Sequence, residues 1–88
     1  MSAADKLKEY TRKIQRNPND FWAYMWRAAA YYELDQFDRA MVDLTKAIGI
    51  DPYSAEAYRV RGECYKELGI YSRAQADFAR AKELGYDG

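Results

Sequence analysis

Apolar side chains between residues 20 and 84 recur at steps of three and four, the spacing that lines one face of an α-helix. The pattern divides into helical segments near 20–34, 37–49, 54–68 and 71–84, separated by short polar or glycine-bearing stretches. Asn19 or Asp20 is suited to cap the first of these segments and Ser54 the third, each just after a proline that stops the chain before it. Gly69 suits a tight turn between two helices, while Asp35 occupies the matching turn position less comfortably.

The segments form two similar pairs. Residues 21–54 align without gaps on residues 55–88, and the shared positions are Ala23/Ala57, Tyr24/Tyr58, Arg27/Arg61, Tyr31/Tyr65, Glu33/Glu67, Leu34/Leu68, Arg39/Arg73, Ala40/Ala74, Asp43/Asp77 and Ala47/Ala81. A repeat of about 34 residues built from two helices is the period of one helical solenoid unit. Ahead of the pairs, residues 3–18 carry Tyr10, Ile14 and Pro18 one period before Leu44, Ile48 and Pro52, and so read as the second helix of a preceding unit. Leu7, Tyr10 and Ile14 make a narrow apolar stripe on an otherwise charged helix, as expected of a solubilising end cap.

Taken in order, Tyr24, Arg27, Ala28, Tyr31, Ala40, Leu44, Ala47 and Pro52, then Tyr58, Arg61, Gly62, Tyr65, Ala74, Phe78 and Ala81, resemble the tetratricopeptide repeat pattern of aromatic, leucine, glycine, tyrosine, alanine, aromatic and proline. Arg27 and Arg61 replace the usual leucine, similar to an Arg-Gly subgroup that Gly62 fits and Ala28 does not. The resemblance implies an all-α, right-handed solenoid of antiparallel helix hairpins with about five helices. It would form one domain, with residues 1–19 as a half-repeat or cap, 20–54 as the first repeat and 55–88 as the second. Gly85, Tyr86, Asp87 and Gly88 stand where the family has Asp-Pro, so the solenoid is expected to stop there.

The first helix of the first pair is apolar on two sides. On a helical wheel Tyr24, Arg27, Ala28, Tyr31 and Leu34 share the arc that the repeat assigns to the interior, and Trp22, Met25, Trp26, Ala29 and Tyr32 share the opposite one. In the family the first helices line a concave groove that binds peptide segments or helices. The resemblance therefore implies a partner-binding set of Trp22, Met25, Trp26, Ala29, Tyr32 and Glu33 from one repeat, with Glu56, Arg59, Glu63, Lys66 and Glu67 from the other. A competing reading folds the N-terminal segment over this flank and protects Trp22 and Met25 in an isolated monomer. Self-association, with the aromatic face packed on a second copy in a homodimer or other assembly, natural or engineered, is the alternative function.

Charge and composition narrow the remaining choices. Lysine plus arginine number 14 against 14 acidic residues, so no net field draws the chain to nucleic acid or a membrane. Lys6, Lys8, Arg12, Lys13 and Arg16 are read as a solvated outer face, without aromatic platforms among them for bases. Histidine is absent and no phosphate loop or metal-ligand spacing occurs, which points away from an enzyme, a metal or a cofactor. Asp35, Asp38 and Glu33 lack the ligand order of a calcium loop. The lone Cys64 is read as a small core residue in a reducing, cytoplasmic setting.

Two further sets of residues bear on the site. Arg27 with Asp43 and Arg61 with Asp77 recur at one offset, as structural pairs across each hairpin or as arginines whose stems line the core while their heads stay in water. The family's clamp for chaperone-tail carboxylates uses Lys and Asn where this chain has Met25 and Ala29, and a second Asn where it has Val60. A groove of that kind is not expected here.

Overall fold

The computed structural model describes residues 1–85 and contains five helices, α1 (Ala3–Arg16), α2 (Phe21–Glu33), α3 (Phe37–Ile50), α4 (Ala55–Glu67) and α5 (Tyr71–Glu83), with no strand among the described residues. Each helix packs on its neighbours in sequence, so α2/α3 and α4/α5 are successive hairpins and α1 lies against α2. The segment expected to end the solenoid, Tyr86 to Gly88, lies outside the described residues.

Local chemistry sets the helix ends. The Asp20 side chain accepts from the Ala23 N–H at 3.1 Å and Ser54 Oγ from Ala57 N–H at 3.3 Å, satisfying amides that have no partner in the first turn. Ser2 caps α1 in the same way, accepting from Asp5 N–H at 3.1 Å. At the other end of α2 the backbone turns left-handed at Asp35, φ 57°, and at the end of α4 it does so at Gly69, φ 76°. Both turns close with the same pair of bonds, Asp35 N–H to Tyr32 carbonyl and Gln36 N–H to Tyr31 carbonyl, matched by Gly69 N–H to Lys66 carbonyl and Ile70 N–H to Tyr65 carbonyl.

These turns end the helices one residue short of Leu34 and Leu68. Leu34 was expected inside, yet it is 39 % exposed, because as the C-cap it has left the helical arc before the turn and covers only the hairpin's end.

The core is made chiefly of small side chains. Ala23, Ala28, Ala30, Ala40, Ala47, Ala57, Ala74 and Ala81 are buried, and Leu44 and Cys64 are the largest side chains fully removed from water. Short side chains let helix axes approach closely, and that approach replaces bulk as the source of contact. Gly62 carries this furthest: a Cβ there would fall 2.7 Å from Phe78 Cε1, so the ring of α5 occupies the room that the missing methyl leaves.

Two ion pairs fasten the hairpins. Arg27 Nε and Nη2 donate to the Asp43 carboxylate at 2.8 and 2.7 Å, and Arg61 donates to Asp77 at 2.8 Å through both nitrogens. Asp43 and Asp77 are buried, and these forked donors offset the cost of taking their carboxylates out of water. Tyrosines flank each guanidinium, with Tyr24 and Tyr31 centroids 5.9 Å from Arg27 and Tyr58 and Tyr65 at 5.6 and 5.8 Å from Arg61. The carboxylate bond holds both guanidinium pKa values above their ordinary value against the opposing effect of burial. Arg27 also donates to Thr11 Oγ1 at 3.2 Å, which ties α1 to the first hairpin.

Candidate functional site

Helices α2 and α4 frame a groove. Its lining is Trp22, Met25, Trp26, Ala29, Tyr32 and Glu33 from α2, with Glu56, Arg59, Val60 and Glu63 from α4. The i, i+3, i+4 and i+7 spacing of the α2 residues puts them on one face, and the Asp20 cap fixes where that face begins.

The aromatic side chains form a ladder. Trp22 and Trp26 stack with centroids 6.0 Å apart and planes inclined by 30°, Tyr10 of α1 meets Trp26 at 5.7 Å, and Phe21 meets Trp22 edge-on at 5.1 Å. These contacts restrain the indoles without covering them, since Trp22 remains 51 % exposed and Trp26 45 %. Tyr32 is held from two sides, edge-on to Phe37 at 5.0 Å and through its hydroxyl, which donates to Glu67 at 3.4 Å. Burial first, then Glu67 and Glu63, push its phenol above the usual range.

The α2 residues divide by depth. Met25 is buried in the cluster that contains Ala57 and Cys64 of α4, so it forms the groove's floor and belongs to the core as much as to the surface. The approach of α4 thus protects Met25, while Trp22 stays open beside the N-terminal helix. On α4, Lys66 is exposed and lies outside the residues lining the groove, whereas Val60, which was not in the expected partner-binding set, lines it. The signal for Val60 was available in the repeat itself, because it aligns with Trp26.

Charge is concentrated on the α4 side. Arg59 Nη2 donates to Glu56 at 2.6 Å, and Lys6 of α1 approaches Glu33 at 3.6 Å. Cys64 sits behind this wall, fully buried, with its thiol pushed up to about 12 by burial first and by Glu63 and Glu67 next. A thiol held protonated in this way is a packing group, not a nucleophile. A second, more open hollow over α3, lined by Asn19, Val42, Thr45, Lys46, Gly49 and Ile50, offers no aromatic side chain and a single charge.

Comparison with known proteins gives a consistent picture. A sequence model of the tetratricopeptide repeat matches residues 23–54. The Arabidopsis OM64 TPR domain is similar with a TM-score of 0.89 and 39 % identity, over 93 % of this chain and 68 % of that one. The first TPR of Spaghetti (RPAP3), solved bound to the HSP90 peptide SRMEEVD, is similar with a TM-score of 0.90 and 27 % identity, over 93 % of this chain and 65 % of that one. Among curated proteins, Hsp70-Hsp90 organizing protein 3 of Arabidopsis thaliana is 40 % identical over 47 residues, 53 % of this chain. The chain spans only 8 % of that relative's length.

Proposed function

The chain belongs to the tetratricopeptide repeat family, and from that premise we propose that it is a non-catalytic interaction module that holds a peptide segment or a helix in the groove between α2 and α4. The observation that carries this reading is the pair of half-exposed, mutually stacked indoles above an apolar floor, Trp22 and Trp26 over Met25. Tryptophan is the residue type whose burial contributes most often and most strongly to binding energy, and packed neighbours that limit its motion reduce the entropy lost on capture. Trp22, Met25, Trp26, Ala29, Tyr32 and Val60 supply contact area in this reading, and Glu33, Glu56, Arg59, Glu63 and Lys66 select the partner's charges.

The similarity to a domain bound to an HSP90 peptide supports a peptide as partner. The mode of capture differs, because Met25, Ala29 and Val60 offer no cation or amide at the positions where the family's carboxylate clamp requires them. A cytoplasmic location accords with a single buried thiol.

Selection of a displayed peptide library against the folded chain tests the module. Binders are expected that are lost with Trp22→Ala/Trp26→Ala while circular dichroism stays unchanged. Binders indifferent to that double substitution would place recognition elsewhere on the chain. The same exposed indoles favour a second reading, pairing of two copies through the aromatic face. Light scattering separates the two: a dimer disrupted by Trp26→Glu supports pairing, and a monomer at high concentration removes it.

A further inference from the structure

We infer that the occupant of this groove is a segment that sets apolar side chains on the Trp22–Trp26 face and lysine or arginine side chains against the acidic wall of α4. The inference rests on the groove reading above and concerns which chemistry the groove accepts.

The charge inventory leads to it. Three carboxylates line the groove, Glu33, Glu56 and Glu63, against one guanidinium, Arg59. Glu56 is matched by Arg59 and Glu33 is approached by Lys6, but Glu63 has no hydrogen bond or ion pair among the described residues. One turn further along α4, Glu67 accepts, among the described residues, only from the neutral Tyr32 hydroxyl. Glu63 and Glu67 are therefore like charges at i and i+4 on one helix face, an arrangement that weakens a helix until a cation joins it. The same two carboxylates, after burial, push up the Tyr32 phenol and the Cys64 thiol.

The apolar side of the groove favours the same occupant. Exposed indole faces attract cations through the ring quadrupole, tryptophan most strongly, so a lysine or arginine crossing from the ladder to the α4 wall is favoured along its whole path. A segment bearing carboxylates would instead meet Glu63 and Glu67, while the lining guanidinium, Arg59, already pairs with Glu56. The preference is local to the groove, because the chain as a whole has a formal net charge of zero. The chain's own basic helix is not the occupant: α1 already uses its apolar stripe on α2, with Tyr10 against Trp26.

The test exploits the fact that the chain's two tryptophans both line the groove, so their emission reports occupancy. Three matched helix-forming peptides, each with leucine and phenylalanine on one face and carrying lysine, glutamine or glutamate on the other, are titrated against the chain. The lysine peptide is expected to bind tightest, by up to about fivefold over the glutamine peptide for each exposed pair formed. The glutamate peptide should bind weakest, and raised salt should compress the series. Glu63→Gln/Glu67→Gln should bring the lysine peptide down toward the glutamine peptide.

Equal or tighter binding of the glutamine or glutamate peptide overturns the inference while the groove reading stands. No emission change with any of the three overturns both. A dimer by light scattering that the lysine peptide does not dissociate assigns the groove to a second copy and also overturns the inference.

Discussion

Between the first hairpin, α2 with α3, and the second, α4 with α5, most of the positions that hold the fold are kept, and those facing the groove, Glu33 apart, are replaced. Ala23, Tyr24, Arg27, Tyr31, Ala40, Asp43 and Ala47 return one period later as Ala57, Tyr58, Arg61, Tyr65, Ala74, Asp77 and Ala81. Trp22, Met25, Trp26, Ala29 and Tyr32 return as Glu56, Arg59, Val60, Glu63 and Lys66. One backbone plan thus carries an aromatic face on one side of the groove and a charged face on the other. The kept positions answer to packing within a hairpin, which is the same problem twice, while the replaced ones answer to whatever enters between hairpins.

The kept arginines are the place where the comparison breaks most severely. Arg27→Met and Arg61→Met each leave a buried aspartate without its forked donor, and a loss of about 3–5 kcal/mol is expected in chemical denaturation. The two should differ, with Arg27→Met the costlier, because Arg27 alone also holds Thr11 and so loosens α1 when removed. Equal losses would show that the bond to α1 contributes nothing. In a double-mutant cycle Arg61 and Asp77 should couple strongly.

The next largest effect lies at Gly62, where the second hairpin departs from Ala28 of the first. Gly62→Ala should be destabilising in the presence of the Phe78 ring. In a Phe78→Leu background, which restores the pairing found between Ala28 and Leu44, the same change should stabilise α4 by up to about 1 kcal/mol through helix propensity. A coupling of about 1–3 kcal/mol between the two sites is expected from thermal unfolding. Additivity would mean that the ring yields freely.

Cys64 stands where the first hairpin has Ala30, and the contrast is one of pH. Below about 9 the thiol is protonated in both folded and unfolded chains and contributes no slope. Between about 9 and about 12 the unfolded chain loses this proton and the folded chain keeps it, so stability falls as pH rises. The slope is at most about 1.4 kcal/mol per pH unit. Cys64→Ala should remove that part of the alkaline slope when denaturation curves are compared across this range.

The smallest effect concerns the turns. Asp35→Gly gives the first hairpin the left-handed glycine of the second and should add about 0.5–1 kcal/mol, while Gly69→Asp should remove a similar amount. Equal and opposite shifts in melting temperature would show that the two turns are interchangeable.

How much of this was legible in the sequence follows from the same division. The period, the Ser54 cap and the awkward turn at Asp35 are consequences of local spacing and could be read without a structure. The first cap lay between Asn19 and Asp20, and the arginine–aspartate pairs between bonding and snorkelling, because spacing carries no distance. Depth was harder. A helical wheel gives the direction of Met25 and of Trp22 alike, but only the approach of α4, with Ala57 and Cys64 leaving room, decides that Met25 is covered. Lys66 and Val60 differ for the same reason, since their angles on α4 are known from sequence and the position of α2 relative to that helix is not. The charge on the α4 wall was visible residue by residue, yet which carboxylates remain without a cation depends on Lys6 reaching across from α1.

The fit of the Phe78 ring into the space at Gly62 limits how such a chain can be recombined. An α4 replaced by a copy of α2 would bring Ala28 against the ring, and an α5 replaced by a copy of α3 would leave a void beside the glycine. Either helix moved by itself carries a mismatch with it, whereas the two moved together keep this contact intact. The smallest piece of this protein that can be duplicated or transplanted with this contact intact is therefore the hairpin, and the glycine and the ring must be inherited as one.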